Sequence, residues 1–501
     1  MPAPFQVPAE GLDVYRNFVL PIPVDVTRFV AAVELRPGNK RIVHHGVMRV
    51  DRTSSARELD AEDPEPGFPG MDMALSESPD GQFLGWTPGR VPQRAAPGMA
   101  WTLAPGVDLV VQLHMVPTGK PEPIQVAVGL FFTAEPPHKR AMVLRLRNED
   151  LDIPPGERSY VAEDSFVLPV PAAIARIYPH AHYLGKAMEV FAELPDGKRQ
   201  DLLRIDDWDF NWQDEYQYAT PVRLPAGARL AMRFTYDNSA ENPRQIELPP
   251  KRVRFGNRSA DEMATLTLQV LTEDAHQKCA LNEAVCRHRV ELYPEFWIAR
   301  LNLGASLAEQ GKFEEAAVEL RAGLALEPQS VDLHMNLGGV LASLRQLADA
   351  QRSFEEALRL SPGSPRVLAN LATLDTMQGR WGKAAERYRA VLAASPRDPR
   401  ALRGLGTALF RLERLDEAKT VFEQALTLDP RDHEAHYQLG RIAFREQRLE
   451  DATAAFLAGL ALHPTPEAHA DLARVYSARG LPDMARADSE AAKALAGSNH
   501  P

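Results

Sequence analysis

The chain has little of what holds many extracellular or membrane proteins together. It contains only two cysteines, Cys279 and Cys286. They lie seven residues apart in a helix-like stretch, about 10 Å along a helix axis. That is too far for a disulfide within one helix, so no disulfide framework is predicted. No apolar run reaches 18 residues, which excludes a helical membrane span. There is also no long basic block. Lys+Arg 57 against Asp+Glu 68 gives a net charge of −11, which argues against nucleic acid or an anionic membrane surface as partner. The N-terminus, MPAPFQVPAEGLDVYRNFVLPIP, places no basic segment ahead of an apolar one, so a soluble chain without a signal peptide is expected. What is present is ordinary: 45% hydrophobic and 25% charged residues over 501 positions. This composition excludes collagen-like, purely coiled-coil and wholly disordered classes.

The grammar changes near residue 275. Upstream, short apolar runs alternate with Pro/Gly turn signals: Leu109–Met115 (LVVQLHM), Val126–Thr133 (VAVGLFFT), Arg229–Tyr236 (RLAMRFTY) and Thr265–Leu271 (TLTLQVL). Runs of this length between turns read as strands of sandwich domains. LPDGK at Leu194–Lys198 is a turn between strands, and Pro154-Pro155-Gly156 a seam between two domains. The expectation is two all-β jelly-roll-like sandwiches, residues 5–150 and 151–274.

Downstream, Pro294, Pro328, Pro362, Pro396, Pro430 and Pro464 recur every 34 residues, the period of tetratricopeptide repeats. Leu-Gly recurs at Leu303-Gly304, Leu337-Gly338, Leu405-Gly406 and Leu439-Gly440, with Ala372 standing where a glycine is expected. A small residue recurs at Ala316, Ala350, Ala384, Ala418, Ala452 and, one residue early, Ala485. A bulky residue follows each of the first five by four: Leu320, Phe354, Tyr388, Phe422 and Phe456. Small residues let helices approach and bulky ones fill the groove. An all-α superhelix over 297–498 is predicted, with Thr465–Ala496 as its C-terminal cap and a lead-in helix at 275–296 covering the other end. Such an array predicts a docking surface for a protein partner.

Of 14 histidines, five stand in suggestive places: His44-His45 (IVHHGVM), His114 (VQLHM), and His180 and His182 (YPHAHYLGK). Residues i and i+2 of a strand share a face, so His180 and His182 can offer two imidazoles to one metal. Two polar residues on a solvated face would give the same pattern. Adjacent His44 and His45 point to opposite faces of a regular strand and can share a metal only at a bulge or strand end. No cysteine lies within residues 1–275, which excludes thiolate zinc and iron–sulfur sites there. Imidazole and thioether donors favour copper, or zinc where three histidines meet an open position. His138, in EPPHKR, and His433 and His436, in a repeat helix, carry no such pattern.

The order HH, QLH, HxHxLGK and SADEM, with ELRPGNKRIVHH and FTYDNSAENP, resembles the copper type II, ascorbate-dependent monooxygenases, the family of the peptidylglycine α-hydroxylating and dopamine β-hydroxylating enzymes. The similarity runs from about Phe5 to Leu271 and is closest to bacterial members. It implies two copper ions. His44, His45 and His114 would hold the electron-storing ion, and His180, His182 and Met263 the ion that meets oxygen and substrate, on facing domains across an open cleft. Gln112 and Tyr178 would support the two sites, with Lys186, Asp261 and Glu262 as further neighbours. The implied reaction places one atom of dioxygen into a C–H bond of a small-molecule or peptide substrate and reduces the other to water. An external reductant such as ascorbate would supply the electrons. Where the peptide-amidating enzymes carry a carboxylate-holding arginine and its Asn and Tyr helpers, this chain has Tyr178, Thr265 and Thr267, which argues against peptidylglycine as substrate. The family works outside the cytoplasm, whereas a start at Met1 implies a cytoplasmic chain. Two other readings fit the residues: a non-catalytic copper-binding adaptor whose repeats carry the function, and a zinc hydrolase using His114, His180 and His182.

Overall fold

The computed structural model describes all residues except 2, 12, 54, 75, 83, 88–94, 96, 97, 139, 211, 257, 259 and 499–501; Ser259 of the SADEM stretch is thus outside the described residues. The chain divides into two compact units, Met1–His288 and Arg289–Pro501.

The first unit holds two β-sandwiches of open sheets. In the first sandwich a five-stranded sheet runs in the order Phe68–Pro69, Val14–Pro21, Asp108–Met115, Val43–Asp51, Leu84–Trp86. A three-stranded sheet, Ala127–Thr133, Arg28–Arg36, Trp101–Leu103, packs on it. Strand Asp108–Met115 is buried along its whole length, and its alternation decides what faces where. Leu109, Val111, Leu113 and Met115 enter the core with Val30, Leu35, Val50 and Trp101, which leaves Gln112 and His114 on the opposite face. The second sandwich pairs the order Arg140–Asn148, Ala264–Thr272, Ala172–His180, Tyr216–Leu224 with the order Tyr160–Val167, Arg229–Tyr236, Gly185–Glu193, Arg199–Ile205. Its core is built on Leu146, Ile177, Met188, Trp208, Phe234, Tyr236 and Leu268.

Two expected boundaries move. Arg140–Asn148 belongs by position to the expected first domain, yet nine consecutive residues pair it antiparallel with Ala264–Thr272 of the second. The alternation of RAMVLRLRN marks a strand; only the nonlocal ladder says whose. The lead-in helix, Ala275–Leu292, is expected as a cover for the repeats but packs on the second sandwich. Leu281, Ala284 and Val285 lie against that core, and His288 Nε2 meets Asp164 Oδ1 at 3.0 Å. Cys279 and Cys286 within the helix are not joined in a disulfide.

The second unit is a run of helical hairpins, from Trp297–Glu309 with Phe313–Leu326 through to Pro466–Ala478 with Pro482–Ser498. The Leu-Gly positions now have a physical reason. A Cβ on Gly338 would lie 2.6 Å from the Phe354 ring, on Gly406 2.7 Å from Phe422, and on Gly440 2.9 Å from Phe456. Where Ala372 replaces the glycine, the ring four residues after the small position, Tyr388, instead lies against Gly404 of the next repeat, and its hydroxyl meets Thr373 Oγ1 at 3.2 Å. No helix among the described residues is long and apolar enough to cross a membrane.

Candidate metal centre

The first histidine set is assembled by a register shift. Strand Val43–Asp51 pairs with Asp108–Met115 so that His45 lies opposite His114, and the ladder slips between Val43 and His45. The bulge at His44 removes the regular alternation that would have turned the two neighbours apart. His44, His45 and His114 each bring a ring nitrogen within 4.8 Å of the others'. The Nδ1 atoms of His44 and His45 are 3.3 Å apart, those of His45 and His114 3.4 Å. His114 donates from Nε2 to Asp13 Oδ1 at 2.7 Å, which leaves Nδ1 as its lone pair toward the cluster. Tyr15 stacks on His114 with ring centroids 4.3 Å apart.

The second set forms where a sheet ends. His180 closes strand Ala172–His180 opposite Thr265, and His182 lies in the turn beyond. Their ring centroids are 5.2 Å apart, so the two rings converge. His182 Nδ1 meets the carbonyl of Asp261 at 2.9 Å; a carbonyl only accepts, so this nitrogen carries the proton and Nε2 the lone pair. The ladder stops two residues short of His182 and Met263, and a carboxylate takes over its role. Fully buried Glu262 accepts from the backbone N–H of His182, of Leu184 at 2.9 Å and of Met263 at 2.9 Å. Tyr236 of the FTYDNSAENP stretch donates to the Met263 carbonyl at 2.7 Å, and Asn238 ties Ile153, Pro154 and Lys251 together. Gly185 of HYLGK is needed for close packing: a Cβ there would stand 2.6 Å from Trp208, whose indole donates to the His182 carbonyl at 3.2 Å. Met263 is buried.

The supporting residues sort differently. Tyr178 stacks on His180 at 6.2 Å. Gln112 donates to Asn17 Oδ1 at 3.0 Å and to the Met71 carbonyl at 2.9 Å, bracing a loop beside the first set. Lys186 pairs with Asp237 at 3.6 Å, and the Asp261 carboxylate with Arg258 at 2.9 Å. Thr267 stands opposite Tyr178 in the ladder, and Thr265 Oγ1 is buried without a hydrogen-bond partner among the described residues. His138 lies beside Glu135 at 3.6 Å. His433 stacks on His463 at 4.7 Å, and His436 meets the Pro430 carbonyl at 3.1 Å.

Contrary to the open cleft that the resemblance implies, the two histidine sets lie close together among the described residues. The centroids of His45 and His180 are 6.2 Å apart. Phe210 fills the space between the sets, stacked on His44 at 4.3 Å and edge-on to His182 at 5.5 Å. Sequence reading did not single out Phe210, Gln213, Asp13 or Tyr15. Acids and aromatics in WDFNWQDE and LDVYRN carry no periodic signal.

Burial, which penalises the charged ring, pushes His44 down to about 4 and His180 down to about 3, and lowers His45 and His182 as well. Neutral imidazoles are what metal ligation requires. Burial pushes Glu262 the other way, up to about 8, against the pull of its N–H donors. A folded histidine below its unfolded value takes up its proton later than the unfolded chain does. Its stability contribution is therefore whole above the unfolded value near pH 6.5 and lost as pH falls toward 4. Glu262 acts with opposite sign between 8 and 4.5, but four rings outweigh one carboxyl. The metal-free protein is expected to lose stability between pH 6.5 and 4.5, by up to about 3 kcal/mol for each of His44 and His180. Urea midpoints read at the two pH values check this; an unchanged or higher midpoint at pH 4.5 contradicts it.

Two tetratricopeptide-repeat family models match the chain, one over residues 280–322, 301–365, 371–430 and 409–465, the other over 466–487. The C-terminal unit is a tetratricopeptide-repeat array. Solved structures similar to the chain include pilF of Pseudomonas aeruginosa, at 22% identity over 40% of this chain and 91% of that one, with a TM-score of 0.37. Another is the Cut9–Hcn1 hetero-tetramer of the APC/C, at 21% identity, 45% and 44% coverage and a TM-score of 0.40. A third is a thermophilic TPR protein of Thermus thermophilus, at 28% identity, 34% and 93% coverage and a TM-score of 0.31. No curated protein matches the chain.

Proposed function

We propose that the chain is a docking protein that carries a copper centre: the repeat array engages a protein partner, and the β unit binds copper through His44, His45, His114, His180, His182 and Met263. The single observation behind the metal half is the convergence of five imidazoles, two of them, His114 and His182, buried and the other three half-buried. The donor set suits the metal. His114 and His182 each have one ring nitrogen committed to an acceptor, which leaves the other as a lone pair, and burial keeps the rings of His44, His45, His180 and His182 neutral. Neutral nitrogen with one thioether favours copper over harder ions.

A catalytic reading goes further, and the two distinct ligand sets favour it. In that reading copper supplies one-electron chemistry with dioxygen, and the protein is a monooxygenase acting on a C–H bond with an external reductant such as ascorbate. The chain's own contribution is to hold the rings: Asp13 and the bulge at His44 orient the first set, and Glu262 joins the turn of His182 to the strand of Met263. Phe210 packs between them, against His44 of one set and His182 of the other.

Metal analysis of the purified chain separates the readings. Two coppers per chain, with oxygen uptake under ascorbate in the presence of substrate, is the expected result. Two coppers without uptake across a broad substrate panel leaves the adaptor alone. A single zinc and no copper favours the hydrolase of His114, His180 and His182.

A further inference from the structure

Between strands Arg199–Ile205 and Tyr216–Leu224 a buried amide reaches the edge of the histidine cluster. Gln213 is only 4% exposed, so both ends of its amide need partners. Its Nε2 donates to the Phe210 carbonyl at 2.9 Å. A carbonyl cannot donate, so the amide orientation is settled and Oε1 is the end that faces His180 Nδ1. Oε1 only accepts. His180 must therefore carry its proton on Nδ1, which leaves Nε2 as the lone pair. The ring of His44 stacks on the Phe210 ring, with centroids 4.3 Å apart. Phe210 thus touches a ring of the first sandwich with its own ring and, through its carbonyl, the amide that faces a ring of the second. Two residues on, Glu215 Oε1 pairs with Arg176 Nη1 at 2.7 Å and anchors the segment to the strand that carries His180.

We infer that Gln213 is a positioning residue of the histidine cluster: it holds His180 as the Nδ1–H tautomer with Nε2 presented to the metal, and ties that ring through the Phe210 carbonyl to the residue stacked on His44. The part of this that concerns metal rests on the proposed copper centre; the tautomer does not.

The test uses the full chain with 15N-labelled histidine. His180 is assigned by its disappearance in His180→Gln. In the metal-free protein its Nδ1 should be protonated and its Nε2 bare. Gln213→Leu should shift it to Nε2–H or to a mixture, Gln213→Asn, one methylene short, should do the same if the leucine variant fails to fold, and Gln213→Glu, which keeps an acceptor in place, should restore Nδ1–H. In copper titrations the leucine or asparagine variant should bind one of the two ions about 10–100-fold more weakly, with the glutamate variant recovering most of the loss. A wild-type His180 protonated on Nε2, a tautomer indifferent to Gln213→Leu, or copper binding unchanged by it overturns the inference. If the tautomer responds but the wild type takes up no copper, the copper centre fails and the positioning of the ring stands.

Discussion

With His180 and His182 both replaced by alanine, the protein is expected to hold one copper per chain instead of two and to show only background ascorbate-driven oxygen uptake. The two rings are the only imidazoles that the second sandwich contributes to the cluster among the described residues. Without them Met263 is a lone thioether, and a single soft donor does not hold an ion against water. The first set keeps what orders it, because the bulge at His44 and the Asp13 contact to His114 belong to the other sandwich. Metal stoichiometry and the Cu(II) spectrum read the two sites separately. Loss of both ions together would mean that the 6.2 Å approach of His45 and His180 makes one shared site, and retention of both would remove these histidines from the ligand set.

A large loss of stability from a single substitution is expected for Phe422→Ala in the repeat array. The side chain is wholly buried and its ring fills the space that Gly406 leaves open, where a Cβ would come within 2.7 Å. Removing a buried phenylalanine costs about 3–5 kcal/mol, cavity included. Repeats are stabilised mainly by their neighbours, so the loss spreads along the array and the helical circular-dichroism signal should melt at clearly lower temperature. Copper stoichiometry should not change, since the histidines lie in the other compact unit. An unshifted helical melt contradicts this account of the Leu-Gly and Phe spacing.

The repeat array was legible residue by residue because each unit repeats the same local problem. Gly406 and Phe422 sit 16 residues apart in the chain, and a small residue with a bulky one 16 later returns every 34. The sandwiches were legible only as strand-rich stretches. RAMVLRLRN reads as a strand on either side of the seam at Pro154-Pro155-Gly156, and its ladder partner lies more than 100 residues away. The candidate ligands were named from local patterns and from resemblance, and the condition set for His44 and His45, a bulge, is met. Gln213 and Phe210 were invisible because what they touch, His180 and His44, is distant in the chain and follows no period.

The amino-acid sequence alone determined the change from β to α near residue 275, the helical repeats and the identity of the imidazoles, since alternation, turn chemistry and a fixed period are local properties. Tertiary structure alone decided which sandwich owns Arg140–Asn148, that both histidine sets close around Phe210, and which nitrogen of His114, His180 and His182 keeps its lone pair. Those outcomes depend on carbonyls, carboxylates and ring faces that meet only when distant segments pack, and a buried polar group takes whichever partner the packing supplies.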